Sequence, residues 1–325
     1  MITARSSTTS SEATSSQIKK RWCELPATVE EVLQASHAPS TAVVYKSYVT
    51  RFQAFLNQKG VNPAQSTETN IMEFLSKFAN KKYTFSYVNA MKSAILSSVK
   101  AKNPSFTMNQ ELLKKFMKGV RRKCKLFTRK ETVWDAEQVL NHLAEQVPAK
   151  TLAQLARETV TILALATGLR ADDLWKLGHA VVTQGSSLFI PFLEQQKTGR
   201  RDGTSRAGVH VAPFPHNERI CPVKLVSRYV ELTKSFETRS PFLFIRSDNG
   251  QRITKPTLRK WLIAILEQAG ISATPGSTRS AAASFAWSRC RSFDQIAAAA
   301  GWLRESTFQL HYRREILRRA SNLMC

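Results

Sequence analysis

Apolar residues recur at helical spacing over most of this chain and alternate with polar residues in one stretch. In four segments between 39 and 125 they fall three or four positions apart, as at Ile71, Phe74 and Leu75, which is typical of helices with one buried face. From 180 to 215, β-branched segments are separated by Gly/Ser and Gly/Arg turns, which predicts a small sheet. We therefore expect a mainly α-helical protein with a small antiparallel β-sheet.

The chain has 325 residues, which predicts about two domains. Its Ser/Thr-rich start lacks an apolar stretch, so we interpret 1–25 as a disordered arm and not as a secretory signal. The composition changes over 126–134, which we interpret as a linker. These features predict a helical domain at 26–125 and a second domain with a C-terminal tail at 135–325.

The charge of the chain favours a polyanionic partner. Lys and Arg number 48 against 24 Asp and Glu, giving a net charge of +24. There are 22 basic and 9 acidic residues up to Asp135, and 26 basic and 15 acidic residues after it. Because both halves are basic, we expect two lobes around DNA or RNA. A membrane partner is disfavoured, since no helix pairs a basic face with a broad apolar one.

The five cysteines show no paired spacing, which argues against a disulfide framework or a zinc site. We expect a reducing compartment, no metal and no other cofactor. The cysteines are Cys23, Cys124, Cys221, Cys290 and Cys325.

Two motifs in the second domain contain cationic candidate site residues. In "LATGLRADDL", Arg170 follows a helix break, and Asp173 lies three residues later, where its carboxylate can orient the Arg170 side chain. A planar guanidinium suits a phosphoryl group because it donates at two points. In "EQQKTG", Lys197 lies in a predicted hairpin, and a lysine pKa falls readily in a desolvated site. Alone, each also fits a surface ion pair or a solvated turn.

Two later motifs complete the set. "PGSTRS" contains Arg279, and "GWLRESTFQLHYRR" contains Trp302 and Tyr312. An indole N–H can donate to a phosphate oxygen, and a phenol can act as a nucleophile. Taken singly, the tryptophan also fits a core position, and the tyrosine fits an ordinary helix.

In this order the motifs resemble the tyrosine recombinase/integrase family, most closely its branch in Crypton and DIRS-type mobile elements. The resemblance implies an N-terminal helical core-binding (SAM-like) bundle and a C-terminal tyrosine-recombinase catalytic domain around duplex DNA. It implies that Arg170 and Arg279 bind the scissile phosphate and that Trp302 donates to it. Lys197 would protonate the leaving 5′-oxygen, and Tyr312 would form a 3′-phosphotyrosine bond.

The sequence departs from the family at Gly276, where the signature has a histidine. Such an acid–base group is typically worth about 10²–10⁴ in rate, so activity is either reduced, rescued by a neighbour such as Ser277, or lost. Three functions stay open. They are a site-specific recombinase for transposon integration or excision, a catalytically impaired DNA-binding relic, and an enzyme resembling type IB topoisomerases.

The expected partner is double-stranded DNA, without a small-molecule substrate. The family implies a homo-oligomer, a tetramer on two synapsed sites, and the tail with Leu317, Leu323 and Met324 can pack on a neighbour. Basic clusters such as "KKR" predict a nuclear protein, with a nucleoid or cytoplasmic location as the fallback. The candidate DNA contacts are Lys92, Lys100, Lys115, Arg121, Arg122, Arg200, Arg201 and Arg206.

Overall fold

The computed structural model describes residue 28 and residues 38–126, 132–196, 206–302 and 304–317. The chain separates into two compact units, Met1–Arg129 and Lys130–Cys325. The arm and most of the linker lie outside the described residues, so the boundaries predicted for them stay predictions. None of the helices in the described part of the chain is long and apolar enough to cross a membrane.

The described residues of the first unit form four α-helices: α1 Pro39–Gln58, α2 Glu68–Ser76, α3 Phe85–Lys102 and α4 Gln110–Lys123. Helix α2 is capped at its N-terminus by a threonine. Thr67 is the cap, because its hydroxyl accepts from the Asn70 amide while the Asn70 side chain accepts from the Thr67 amide.

The core of the first unit contains the apolar positions that the helical pattern predicts. Ile71, Phe74 and Leu75 of α2 are buried and pack with aromatic residues of α1 and with α3. In α4 the buried positions are Leu113, Met117 and Val120, which leaves its opposite face to solvent. Burial of these side chains is the main stabilising contribution to such a bundle.

The second unit begins with strand β1 Thr132–Trp134, followed by α5 Ala136–Glu145, α6 Leu152–Thr167 and α7 Ala171–Leu174. Its later helices are α8 Pro222–Thr233, α9 Lys255–Gln268, α10 Thr278–Ser288, α11 Phe293–Ala300 and α12 Glu305–His311. Helix α6 is buried along most of its length and packs against α8, α9 and α10. It is therefore the central helix of the second unit.

The predicted antiparallel sheet is present. Strands β2 Val182–Gln184, β3 Ser187–Pro191 and β4 Gly208–Val211 pair in the order β2-β3-β4. Gly208 permits the close pairing of β4 with β3, because a Cβ there would lie 2.4 Å from the Ile190 carbonyl oxygen. The fold class predicted from sequence, mainly α with a small antiparallel sheet, is confirmed.

A second, parallel pairing was not predicted. Strand β1 pairs with β5, Glu315–Leu317, which begins three residues after Tyr312. Strand β1 lies within the second compact unit. Ile316 packs with Val133 and Ala281, whereas Leu317 is exposed. Leu323 and Met324 lie outside the described residues.

Candidate active site

Arg170 lies where α6 ends and α7 begins. Gly168 ends α6 in the left-handed conformation at φ 61°, which favours glycine. A Cβ there would also lie 3.3 Å from the Ala300 Cβ, which is a tight contact. Arg170 Nη1 lies 3.6 Å from Oδ2 of Asp173, whose side chain is buried. The predicted Arg–Asp pair is formed, and it holds the arginine at the start of α7.

Arg279, in the first turn of α10, is 2% exposed. Its Nη1 donates to the Gly168 carbonyl at 2.9 Å, and its Nη2 donates to the Ala300 carbonyl at 3.0 Å. Burial, and then repulsion from Arg170, lower the pKa of Arg279 to about 10. The group remains a cation at neutral pH, and it joins the helix break at Gly168 to the end of α11.

Trp302 and Tyr312 pack against this guanidinium. The Arg279 Cζ lies 4.6 Å from the Trp302 ring centroid and 5.0 Å from the Tyr312 ring centroid. The two rings lie 4.6 Å apart. The charge interaction with Tyr312 acts to raise the pKa of Arg279, against the larger effects of burial and Arg170. Trp302 is buried, and its Nε1 has no hydrogen-bond partner among the described residues. Four predicted site residues, Arg170 included, are therefore brought together.

Tyr312 lies at the C-terminal end of α12. Phe308, one turn earlier, is fully buried and packs on the rings of Trp287, Phe293 and Trp302. The Phe308 carbonyl accepts from the amides of Tyr312 and the next residue, at 2.8 and 2.9 Å. An apolar cluster thus fixes the helix that presents the phenol, while the Tyr312 side chain itself is only half-buried.

Gly276 lies in a 3₁₀ turn, Pro275–Ser277, directly before α10. It is exposed, and a Cβ there would meet nothing within 4 Å. The Ser277 hydroxyl donates to the Thr274 carbonyl at 2.6 Å and accepts from Trp134 Nε1 at 2.8 Å. Because its single proton is already donated, Ser277 does not supply in this structure what the missing imidazole would.

The predicted hairpin is described only at its two ends, because Lys197, Arg200 and Arg201 lie outside the described residues. Glu194, before it, pairs with Arg252 at 2.6 Å. Arg206, after it, donates to the carbonyls of Ala299 and Ala298 at 3.0 and 2.6 Å. The guanidinium of Arg206, which sequence assigned to DNA, thus also makes bonds at the end of α11.

The first unit presents a basic surface on α4. Six Lys and Arg side chains are exposed there, opposite the buried apolar face, and only one acidic residue, Glu111, belongs to this helix. Of the other predicted contacts, Lys100 is exposed and Lys92 is half-buried on α3. The six residues, which we call the α4 basic face, are Lys114, Lys115, Lys118, Arg121, Arg122 and Lys123.

Sequence reasoning did not find the groups that hold these side chains. The carbonyls of Gly168 and Ala300 are backbone atoms, which no residue type signals. Ser284 binds the backbone of Tyr312, but in "STRSAAASFA" it is one small residue among several.

Comparison with known proteins agrees with this fold. Residues 25–100 match the phage integrase N-terminal SAM-like domain. The structure is similar to a lambda integrase (75-356) dimer bound to a COC′ core site, with a TM-score of 0.54, 15% identity, and coverage of 94% of this chain and 98% of that one. No curated protein matches the sequence.

Two further structures are similar. The XerH site-specific recombinase bound to a palindromic difH substrate in a post-cleavage complex has a TM-score of 0.53 and 13% identity, covering 76% of this chain and 68% of that one. A lambda integrase tetramer bound to a Holliday junction has a TM-score of 0.52 and 15% identity, covering 94% of this chain and 79% of that one. The chain thus has a phage-integrase SAM-like domain and the fold of tyrosine recombinases.

Proposed function

We propose that this protein is a site-specific DNA recombinase that cleaves and rejoins duplex DNA through a 3′-phosphotyrosine intermediate. One observation carries the proposal: the guanidinium of Arg279 lies against both Trp302 and Tyr312, with Arg170 close enough to lower its pKa. Two cations that repel each other beside a phenol are stabilised when a phosphodiester lies between them. The net charge of +24 suits the same polyanion.

The first step is binding of the scissile phosphate. Arg170 and Arg279 would donate to its non-bridging oxygens, where charge increases in the transition state. Asp173 and the carbonyls of Gly168 and Ala300 hold these two side chains before DNA arrives. The buried Nε1 of Trp302 would gain a phosphate oxygen as acceptor, which removes the cost of an unpaired donor.

The second step is the exchange of one phosphodiester bond for another. The Tyr312 oxygen attacks phosphorus and loses its proton to water, the bond between phosphorus and the 5′-oxygen breaks, and Lys197 supplies the proton to the leaving oxygen. Rejoining reverses this, with a 5′-hydroxyl as the nucleophile. Because the phosphotyrosine bond retains the energy of the bond that was broken, the scheme requires no nucleotide.

The finer parts of the proposal are biological. We place the protein in a mobile element of the Crypton or DIRS-like branch, where it would integrate or excise the element in the nucleus. The "STRS" context of Arg279 and the tryptophan at 302 support this placement. A tetramer on two synapsed sites is proposed by analogy with the lambda integrase tetramer bound to a Holliday junction.

A second candidate function is DNA binding without cleavage. It is favoured by Gly276, which has no side chain, and by the Ser277 hydroxyl, whose proton is donated to Thr274. This candidate predicts DNA binding that weakens steeply with salt and forms no covalent product.

The two candidates are separated by incubating the protein with duplexes of random sequence that carry a nick near the cleavage position. Cleavage then releases a short fragment and traps the protein on the DNA. The recombinase is expected to yield a complex that survives denaturation and is enriched for one sequence. Salt-dependent binding without any trapped complex would favour the second candidate.

Removing two charges from the α4 basic face tests whether this face binds DNA. We expect Arg121→Ala with Arg122→Ala to lower the slope of log affinity against log salt by about 2, because each phosphate contact contributes about 0.9. The matched control is Lys224→Ala on α8 with Lys234→Ala, the residue that follows α8, since both lysines are exposed and paired with glutamates. Equal slopes for the two double variants would show that α4 makes no special contribution.

Replacing Arg279 by lysine is expected to lower the single-turnover cleavage rate by about 10²–10³-fold. A single ammonium cannot bind the Gly168 carbonyl, the Ala300 carbonyl and a phosphate with the geometry of a guanidinium. The control is Arg289→Lys, an exposed arginine at the end of the same helix. If Arg279→Lys cleaves as fast as this control, Arg279 has no role that depends on its shape.

A further inference from the structure

Ser284 is a buried polar residue on α10, five positions after Arg279, and it is 3% exposed. Its hydroxyl donates to the Tyr312 carbonyl at 3.0 Å and accepts from the Arg314 amide at 3.0 Å. One side chain therefore uses both its donor and an acceptor on the short turn that joins α12 to β5.

This turn carries the proposed nucleophile. On one side it is held by the Phe308 carbonyl, which accepts from the amides of Tyr312 and Arg313. On the other side it continues into β5, which pairs with β1. Ser284 binds the turn between these two supports, at the residue that bears the phenol.

We propose that Ser284 is a positioning residue that fixes the Tyr312 turn to the same helix that carries Arg279. The inference rests on the proposed function and deepens it. Arg279 is itself held by the carbonyls of Gly168 and Ala300. The phosphate ligand Arg279 and the turn that carries the nucleophile Tyr312 are thus both held by α10. The five positions from Arg279 to Ser284 span about 7.5 Å at 1.5 Å per residue.

Such a link matters because nucleophilic attack depends steeply on distance. The reacting atoms must approach to about 3–3.5 Å in line, and a displacement of about 1 Å can cost about 10²-fold in rate. A turn held at its carbonyl and at an amide two residues later has little freedom to rotate. Ser284 would thus set the cleavage rate without touching DNA.

A hydroxyl is needed because the link uses one donor and one acceptor on the same atom. Threonine retains the hydroxyl, whereas valine has nearly the same size and shape as threonine but lacks the hydroxyl. The pair Ser284→Thr and Ser284→Val therefore separates the hydrogen bonds from the added volume. Ser284→Ala, which is smaller than serine, covers the case in which the added methyl groups disturb the buried site.

The test measures three quantities on the full-length variants: cleavage of a nicked duplex in a single turnover, DNA affinity, and amide hydrogen exchange of the segment 309–317. We expect Ser284→Val and Ser284→Ala to cleave about 10²-fold more slowly with unchanged DNA affinity. Exchange in that segment should rise, whereas Ser284→Thr should stay near the wild type in all three measurements. A purely structural role would instead lower DNA affinity and raise exchange across the whole second unit.

The inference is overturned if Ser284→Ala cleaves like the wild type, or if Ser284→Val and Ser284→Thr cleave equally fast. Failure of the proposed function looks different, because the wild type would then form no covalent complex. In that case the exchange data still decide whether Ser284 holds the turn. Equal exchange of 309–317 in Ser284→Ala and wild type would show that it does not.

Discussion

Tyr312→Phe is expected to abolish covalent attachment of the protein to DNA while DNA affinity stays unchanged. The substitution removes one oxygen and keeps the ring that packs on Trp302 and Arg279. Loss of a nucleophile typically removes all but a small residual rate, so we expect a decrease of at least about 10⁴-fold. The measurement is the fraction of a nicked duplex that migrates with the protein on a denaturing gel.

Tyr45→Phe provides the control, because Tyr45 is a half-exposed tyrosine of the first unit. It should form the covalent complex at the wild-type rate and bind DNA with wild-type affinity. A covalent complex that persists in Tyr312→Phe would mean that another group attacks DNA, and the roles proposed for the residues around Tyr312 would then be wrong.

Gly276→His is expected to accelerate cleavage by about 10²–10⁴-fold, the usual contribution of a positioned acid–base group. The position can accept the side chain, since an added Cβ meets nothing within 4 Å and the glycine is not in the left-handed region. An imidazole there would lie three residues before Arg279. The gain is measured as the single-turnover rate of the variant relative to the wild type.

The control for this substitution is Gly276→Ala, which adds a Cβ without an acid–base group and should cleave like the wild type. If the histidine variant cleaves no faster than the alanine variant, the turn at 276 is not beside the reacting phosphate. If the wild type is inactive and the histidine variant cleaves, the second candidate function describes the natural protein.

The helices of the first unit were predictable because their apolar residues follow the helical period closely. Val88, Met91, Ile95 and Val99 of α3 are all buried, as their spacing indicates. The small sheet was predictable for the same kind of reason, since Leu188 and Ile190 alternate with less buried neighbours along β3. In both cases a local pattern is sufficient, because one buried face decides the structure.

Contacts between distant residues were not predictable. Strands β1 and β5 pair although they lie near opposite ends of the sequence of the second unit. Each has only three residues, so neither shows a pattern long enough to recognise. Arg206 looks like one more exposed cation in a basic segment, and only the fold shows that its guanidinium binds carbonyls at the end of α11. Such pairings depend on tertiary packing, which local composition does not encode.

The candidate site was predictable in its residue types and not in its geometry. The order of Arg170, Arg279, Trp302 and Tyr312 suggested a shared site, and the structure brings these four side chains together. Two backbone carbonyls orient Arg279, and a serine hydroxyl holds the Tyr312 turn. The place of Lys197 stays a prediction.

The central claim is tested most directly by locating the atom that joins protein and DNA. Trapped complexes would be digested with nuclease and protease, and the peptide that carries the nucleotide remnant would be sequenced by mass spectrometry. The recombinase mechanism predicts a phosphodiester between the Tyr312 oxygen and the 3′ end of the cleaved strand. A remnant on any other residue, or a bond to the 5′ end, would contradict it.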